Sequence, residues 1–253
     1  MWKIVRIEEH HLNSSAFTSG YLLLGAILFL ALYNVLKKLP FLPLGSATAW
    51  LQGHLYVGLG SAGIFFLHVG AGWPNGWLEG WLAAVYLLTF ASGVFGLYLT
   101  RTIPRQLKRV GNEVIYERIP ALRRQVAREA NQTVLDGVVA SGATTLADFY
   151  AGRLYDFLQR PRSAMYLLRP TSALRRTLMR EMQDVRRYFS DEEQRACERL
   201  FALVRRKDEL DFHEARQKLL KLWLFVHIAL TYGLLVMAAV HALLAHAFDG
   251  SSL

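Results

Sequence analysis

Four histidines stand at one repeated interval in two strongly apolar stretches, His54 and His68 in one and His227 and His241 in the other. A histidine inside an apolar span is costly and marks a functional position, and neutral imidazole is the side chain most often used to bind metals. Fourteen residues make about four turns of α-helix, so each pair shares a face to within about 40° and is separated by roughly 21 Å along the axis. Two such helices lying side by side would present two rungs of facing imidazoles. Each rung offers two nitrogen donors, fewer than the four of structural zinc, and the apolar stretches hold few carboxylates beyond Glu79. Two trans imidazoles suit a planar macrocycle that supplies the remaining donors. The expectation is two noncovalent haem b groups, each bis-histidine, with His54, His68, His227 and His241 as cofactor-binding and metal-binding residues. A structural or proton-relay role is the alternative for the same four side chains.

The single cysteine, Cys197, excludes an intrachain disulfide framework, a four-cysteine iron–sulfur site and the Cys-x-x-Cys-His attachment of c-type haem. More than half of the 253 residues are hydrophobic, yet the net charge is +9. That balance predicts membrane spans joined to a charged soluble part.

Four stretches approach the roughly 20 apolar residues that cross a bilayer core: about 20–36, 48–70, 77–99 and 222–247. Lys37 and Lys38 follow the first, Arg101, Arg105, Lys108 and Arg109 follow the third, and Arg216, Lys218 and Lys221 precede the fourth. The turn 71–76 carries no Lys or Arg. By the positive-inside bias the basic side is cytoplasmic, which puts both termini outside and makes spans two and four parallel. The facing pairs are then His54 with His227 and His68 with His241. The expected setting is a bacterial inner membrane, crossed several times.

Residues 100–221 hold 25 of the 29 Lys and Arg and 16 of the 20 Asp and Glu. An interruption this long must be folded. Apolar residues recur at helical spacing through Leu146, Phe149, Leu154 and Phe157, and through Leu174, Leu178, Met182 and Val185. Thr145 with Asp148, and Ser190 with Glu193, have the spacing of capping boxes. Pro104, Pro120, Pro161, Pro170, Gly137 and Gly142 mark expected breaks. Neither Gly nor Pro occurs from Ser190 to Tyr232, which allows one long helix running into the last span; a turn near Lys207 and Asp208 is the plainer alternative. No dinucleotide fingerprint, P-loop or paired-cysteine motif is present in 100–221. The basic surface reads as a face beside anionic lipid and a docking surface for protein partners rather than for nucleic acid.

The predicted architecture is therefore all-α: a four-helix transmembrane bundle with a helical cytoplasmic domain inserted between transmembrane helices 3 and 4. Residues 1–99 supply helices 1–3, 100–221 the cytoplasmic domain, and 222–253 the fourth helix and a short outer tail. Gly53, Gly58, Gly60, Gly63 and Gly70, with Gly80, Gly93 and Gly96, leave room for a ring or for close helix contact. His246 falls about 100° off the ligand face and reads as an interfacial residue or a neighbour of a haem propionate. His10, His11 and His213 read as surface groups. Trp73, Trp77 and Trp81 read as an aromatic interface belt.

The His-x13-His pairs in spans two and four resemble the four-helix haem-binding core of the cytochrome b and b6 superfamily, with a similar logic in transmembrane ferric reductases. The resemblance covers the four spans, roughly half of the chain, and implies axial ligation by His54, His68, His227 and His241. The chain lacks the Pro-Glu-Trp-Tyr motif of the quinol-oxidising members and the flavin and nicotinamide domain of the reductases. What the resemblance implies is an electron-transfer subunit of an oxidoreductase complex. It would link the quinone pool, with quinone or quinol as a further ligand, to an extracytoplasmic c-type cytochrome or other redox protein. Other complex subunits or a homodimer mate are the expected companions. A nonredox membrane scaffold or proton-relay transporter, with a partner-recruiting cytoplasmic domain, is the competing reading.

Overall fold

A computed structural model describes residues 17–33, 46–70, 72–111 and 114–249, and every regular element among them is helical. In chain order these are α1 (Phe17–Tyr33), α2 (Ala47–Val69), α3 (Trp77–Val110), α4 (Ile119–Ser141), α5 (Thr145–Phe149), α6 (Tyr155–Gln159), α7 (Ala164–Leu168), α8 (Ala173–Val185) and α9 (Asp191–Asp249). A π-helical turn, Tyr150–Leu154, joins α5 to α6. The protein is all-α among its described residues. Lys37, Lys38, His10 and His11 lie outside them.

Two compact units emerge, Tyr98–Leu222 and the described parts of Met1–Leu97 with Trp223–Leu253. Helices α3 and α9 contribute to both.

In the unit Tyr98–Leu222, α4 buries Val126, Ala130 and Val134 at four-residue spacing. They join Leu146, Leu154, Leu178, Met182 and, from α9, Cys197, Leu200 and Val204 in one core. Of the apolar positions read at helical spacing, Leu174 falls outside this core and is exposed.

Several expected breaks are absent. Helix α3 runs through Pro104, which lacks the N–H that would have bonded the preceding turn. Helix α4 runs through Gly137, where an added Cβ would stand 3.2 Å from the Cβ of Ala196; the glycine permits a close crossing with α9. Gly142 does end α4, with φ +66°, a left-handed cap that glycine adopts without strain. Pro120 sits in the first turn of α4, where its missing N–H costs nothing.

The N-termini of α5 and α9 are held by one carboxylate. The Ser190–Glu193 box forms: Ser190 N–H donates to Glu193 Oε2 at 3.0 Å and Glu193 N–H donates to Ser190 Oγ at 3.4 Å. The Thr145–Asp148 box does not form. Helix α5 begins at Thr145 itself, and the N–H of Leu146 donates to Glu193 Oε1 at 3.0 Å. Glu193 is fully buried and thus satisfies backbone donors of two helices.

The turn at Lys207 and Asp208 is likewise overturned, because α9 is continuous there for 59 residues. Those polar residues face inward. Lys207 Nζ lies 2.6 Å from Asp211 Oδ2 and also donates to the Arg160 carbonyl at 3.3 Å. Arg162 reaches Asp208 at 2.8 Å and Asp211 at 3.1 Å, and Arg123 reaches Glu214 at 2.6 Å. Burial lowers the Lys207 ammonium below its ordinary range, with Asp211 opposing the shift. Burial, then the Asp208 charge, pushes the neighbouring Tyr166 up to about 12. His213, expected at the surface, is also buried.

Burial pushes the Cys197 thiol up to about 11, so its thiolate is scarce and the sulfur is enclosed. Alkylation of the native protein at about pH 8 is therefore expected to be slow and to accelerate sharply when this unit unfolds in urea. Glu193→Ala orphans buried N–H groups at two helix starts and should lower the stability of this unit by about 1–3 kcal/mol. An unchanged urea midpoint for Cys197 labelling in that variant would contradict the shared-cap assignment.

Candidate functional site

The other unit is built from α1, α2, the first part of α3 and the last part of α9. Helix α1 lies antiparallel to α2: Phe29 stacks on Trp50 at 5.8 Å, the Tyr33 ring lies tilted against His54 at 5.1 Å, and Gly20 meets His68 at the opposite end. Helix α2 and α9 run in the same direction, as their ring contacts establish. His54 faces His227 with ring centroids 6.5 Å apart and planes at 75°. His68 faces His241 with centroids 6.4 Å apart and planes at 81°. All four sequence-predicted histidines are thus brought together, in the expected pairs.

That separation has a chemical meaning. Two imidazoles bound through nitrogen to one metal, at about 2.0–2.1 Å per bond, would have ring centroids roughly 6–6.5 Å apart. Rings in direct hydrogen-bond contact would lie closer, with nitrogens about 2.9 Å apart. Among the described residues no group of three or more His, Cys, Asp or Glu side chains is gathered as a metal site. Each rung supplies two imidazole donors, which fits a macrocycle that brings its own equatorial nitrogens.

Two of the imidazoles, one in each rung, are backed by a serine. His68 Nδ1 lies 3.2 Å from Ser19 Oγ on α1, and His227 Nδ1 lies 3.3 Å from Ser92 Oγ on α3. A hydroxyl against Nδ1 serves either tautomer, donating to a bare nitrogen or accepting from an N–H, and holds the ring in place, as outer hydrogen bonds do around metal-binding histidines. Trp223 stacks on His227 at 5.6 Å and 20°, and its indole N–H donates to the Ser92 carbonyl at 2.8 Å. His54 Nδ1 is buried with no hydrogen-bond partner.

Glycines set how closely the flanking helices approach. A Cβ at Gly20 would stand 2.9 Å from the His68 ring, one at Gly96 would overlap the Trp223 indole, and one at Gly93 would touch His227 at 3.6 Å. Between the rungs, Ser61 is seven residues from each α2 histidine and shares their face. Its hydroxyl lies 2.9 Å from that of Tyr86, both are buried, and Tyr86 stacks on Phe65 at 4.2 Å.

Sequence reasoning did not single out Ser19, Gly20, Tyr21, Ser61, Tyr86, Ser92 or Trp223 as parts of the site. Their only signal is position on helices whose mutual register no periodicity reveals. His246 sits against Phe17 and Tyr21, with ring centroids 5.8 and 5.7 Å away, and hydrogen-bonds Tyr21. Trp73, Trp77 and Trp81 are exposed, as are Arg101 and Arg105.

Comparison with known proteins yields no matching family model, curated protein or solved structure.

The glycine contacts are testable side by side. Gly20→Leu drives a side chain into the His68 ring and should destabilise the protein by about 1–3 kcal/mol. Gly25→Ala, on the same helix with nothing within 4 Å of the added Cβ, should be neutral or stabilising. Thermal unfolding of the two variants in detergent should separate them clearly; equal melting temperatures would contradict the close approach of α1 to His68.

Proposed function

We propose that the chain is a di-haem b-type membrane cytochrome, the membrane subunit of a redox complex that moves electrons between the quinone pool and an extracytoplasmic carrier. The observation that carries this reading is the pairing of His54 with His227 and His68 with His241 at 6.5 and 6.4 Å, the spacing of two imidazoles across one metal. Haem supplies a reversible one-electron iron couple when bound. His54 and His227 would hold one haem, and His68 and His241 the other. Ser19 and Ser92 each hydrogen-bond one imidazole, in different rungs, while the glycines on α1 and α3 leave room for the His68, His227 and Trp223 rings.

The surface of the histidine-bearing unit supports a membrane setting. Helices α3 and α9 are long and apolar enough to cross a bilayer, and only 22% and 11% of their apolar windows are buried. Their outward side chains, among them Leu88, Phe225, Val236 and Leu243, are exposed. A soluble core helix would have covered them. Helix α2 has the length for a span but carries His54, His68, Gln52 and four glycines, residues that lower its hydropathy. We assign α1, α2, α3 and α9 as the four spans, with the basic segment 100–221 cytoplasmic and both termini outside, in a bacterial inner membrane.

Rungs about 21 Å apart cover much of a bilayer core about 30 Å thick. Charge moved between them works with or against the membrane potential, by about 2.3 kcal/mol per charge and 100 mV for a full crossing. Held by two imidazoles each, the haems would serve to pass electrons between partners rather than to bind a substrate.

The purified full-length protein should show a reduced-minus-oxidised b-type spectrum with two haems per chain. His54→Ala and His227→Ala should each remove the same haem, and His68→Ala and His241→Ala the other. A folded, colourless preparation would replace this reading with a scaffold or proton relay, and loss of neither haem in these variants would refute the ligand assignment.

A further inference from the structure

A cavity of about 360 Å³ lies beside the His68–His241 rung, lined by α1, α2, α3 and α9. Its size falls in the range of about 300–1,000 Å³ typical of cofactor sites. The lining is apolar except for Tyr21, His68, Glu79, Tyr86, His241 and His246. No Lys or Arg lines it among the described residues. A macrocycle with acidic side arms would therefore meet no fixed cation here, and an uncompensated carboxylate in such surroundings is costly.

Most of these polar groups already have occupations. His68 and His241 form the rung, and Tyr86 bonds Ser61. The Glu79 carboxylate lies in the first turn of α3, folded against Gly76, where the helix N-terminus favours negative charge. Tyr21 and His246 remain, hydrogen-bonded to each other and exposed at one end of the cavity. His246 stands five residues beyond His241, about 7.5 Å further along the helix.

The chemistry of this pair is informative. If the tyrosine O–H donates to His246 Nε2, the histidine keeps its Nδ1–H; if the histidine donates, the tyrosine keeps its O–H. Either way one donor stays available, and a protonated imidazole would add charge.

We propose, resting on the di-haem reading above, that Tyr21 and His246 form a carboxylate clamp that holds the propionate edge of the haem at the His68–His241 rung. The clamp turns the acidic edge of that group toward the α1 N-terminus and the α9 C-terminus, and so fixes its orientation in the cavity. Tyr21 and His246 are positioning residues and leave the iron ligands untouched.

The test compares haem with its dimethyl ester, which keeps the ring and the iron but has no free carboxylates. Full-length wild type, Tyr21→Phe and His246→Phe are each stripped and reloaded with one form or the other. Transfer of haem to an acceptor protein is then timed, and the rung is identified by its absence in His68→Ala. With ordinary haem, loss from this rung should be about tenfold faster in His246→Phe, as for outer-contact substitutions at metal sites, and faster in Tyr21→Phe, which preserves the ring contact. With the ester, all three proteins should release at the same rate. Equal effects of the substitutions on both forms, or no effect on either, would overturn the clamp while leaving the di-haem reading intact. A wild type that takes up neither form would overturn that reading, and the clamp with it.

Discussion

Two parallel helices carrying the same fourteen-residue interval are under a strict register constraint: either both pairs of imidazoles meet or neither does. A slip of one residue between α2 and α9 turns one row of histidines by about 100° and moves it 1.5 Å, which breaks both rungs together. The rest of this unit serves that register. Helix α1 is drawn close by Gly20, α3 by Gly93 and Gly96, and Ser61 with Tyr86 fills the level between the rungs with a satisfied polar pair. An unsatisfied hydroxyl at that depth would favour other packings, so the matched pair helps to specify this one.

The unit Tyr98–Leu222 solves a different problem, how to bury charge. Lys207, Asp208 and Asp211 lie on one inward stretch of α9 and are met by Arg123, Arg162 and Arg175 from elsewhere in the unit. The net gain from such a cluster is small, because desolvation offsets attraction, but removing one member strands the others. The cluster therefore acts more on which arrangement forms than on how stable it is. Glu193 works similarly for the backbone, tying the starts of α5 and α9 into one event.

The legible parts of the molecule were those encoded by a period or an interval. The paired histidines, the buried faces of Leu146 to Phe157 and Leu178 to Met182, the cap at Ser190 and the left-handed end at Gly142 all follow from local spacing. What misled was polarity and the usual helix breakers. Lys207 and Asp208 resembled a turn, and His213 a surface group, because hydropathy does not register a distant partner. Pro104 and Gly137 resembled breaks because each is weighed one residue at a time, whereas a long packed helix absorbs one lost bond or uses one missing side chain. Ser19, Ser92 and Trp223 were invisible for a deeper reason: their roles exist only once α1 and α3 have taken their places beside the histidines.

The two serines that back the imidazoles come from different helices, Ser19 from α1 and Ser92 from α3, and each touches a histidine of a different rung. Neither rung borrows its support from the other. A change in one flank can therefore shift the basicity of one imidazole pair while its counterpart stays as it was. This modularity lets evolution, or an engineer, alter the surroundings of one pair at a time.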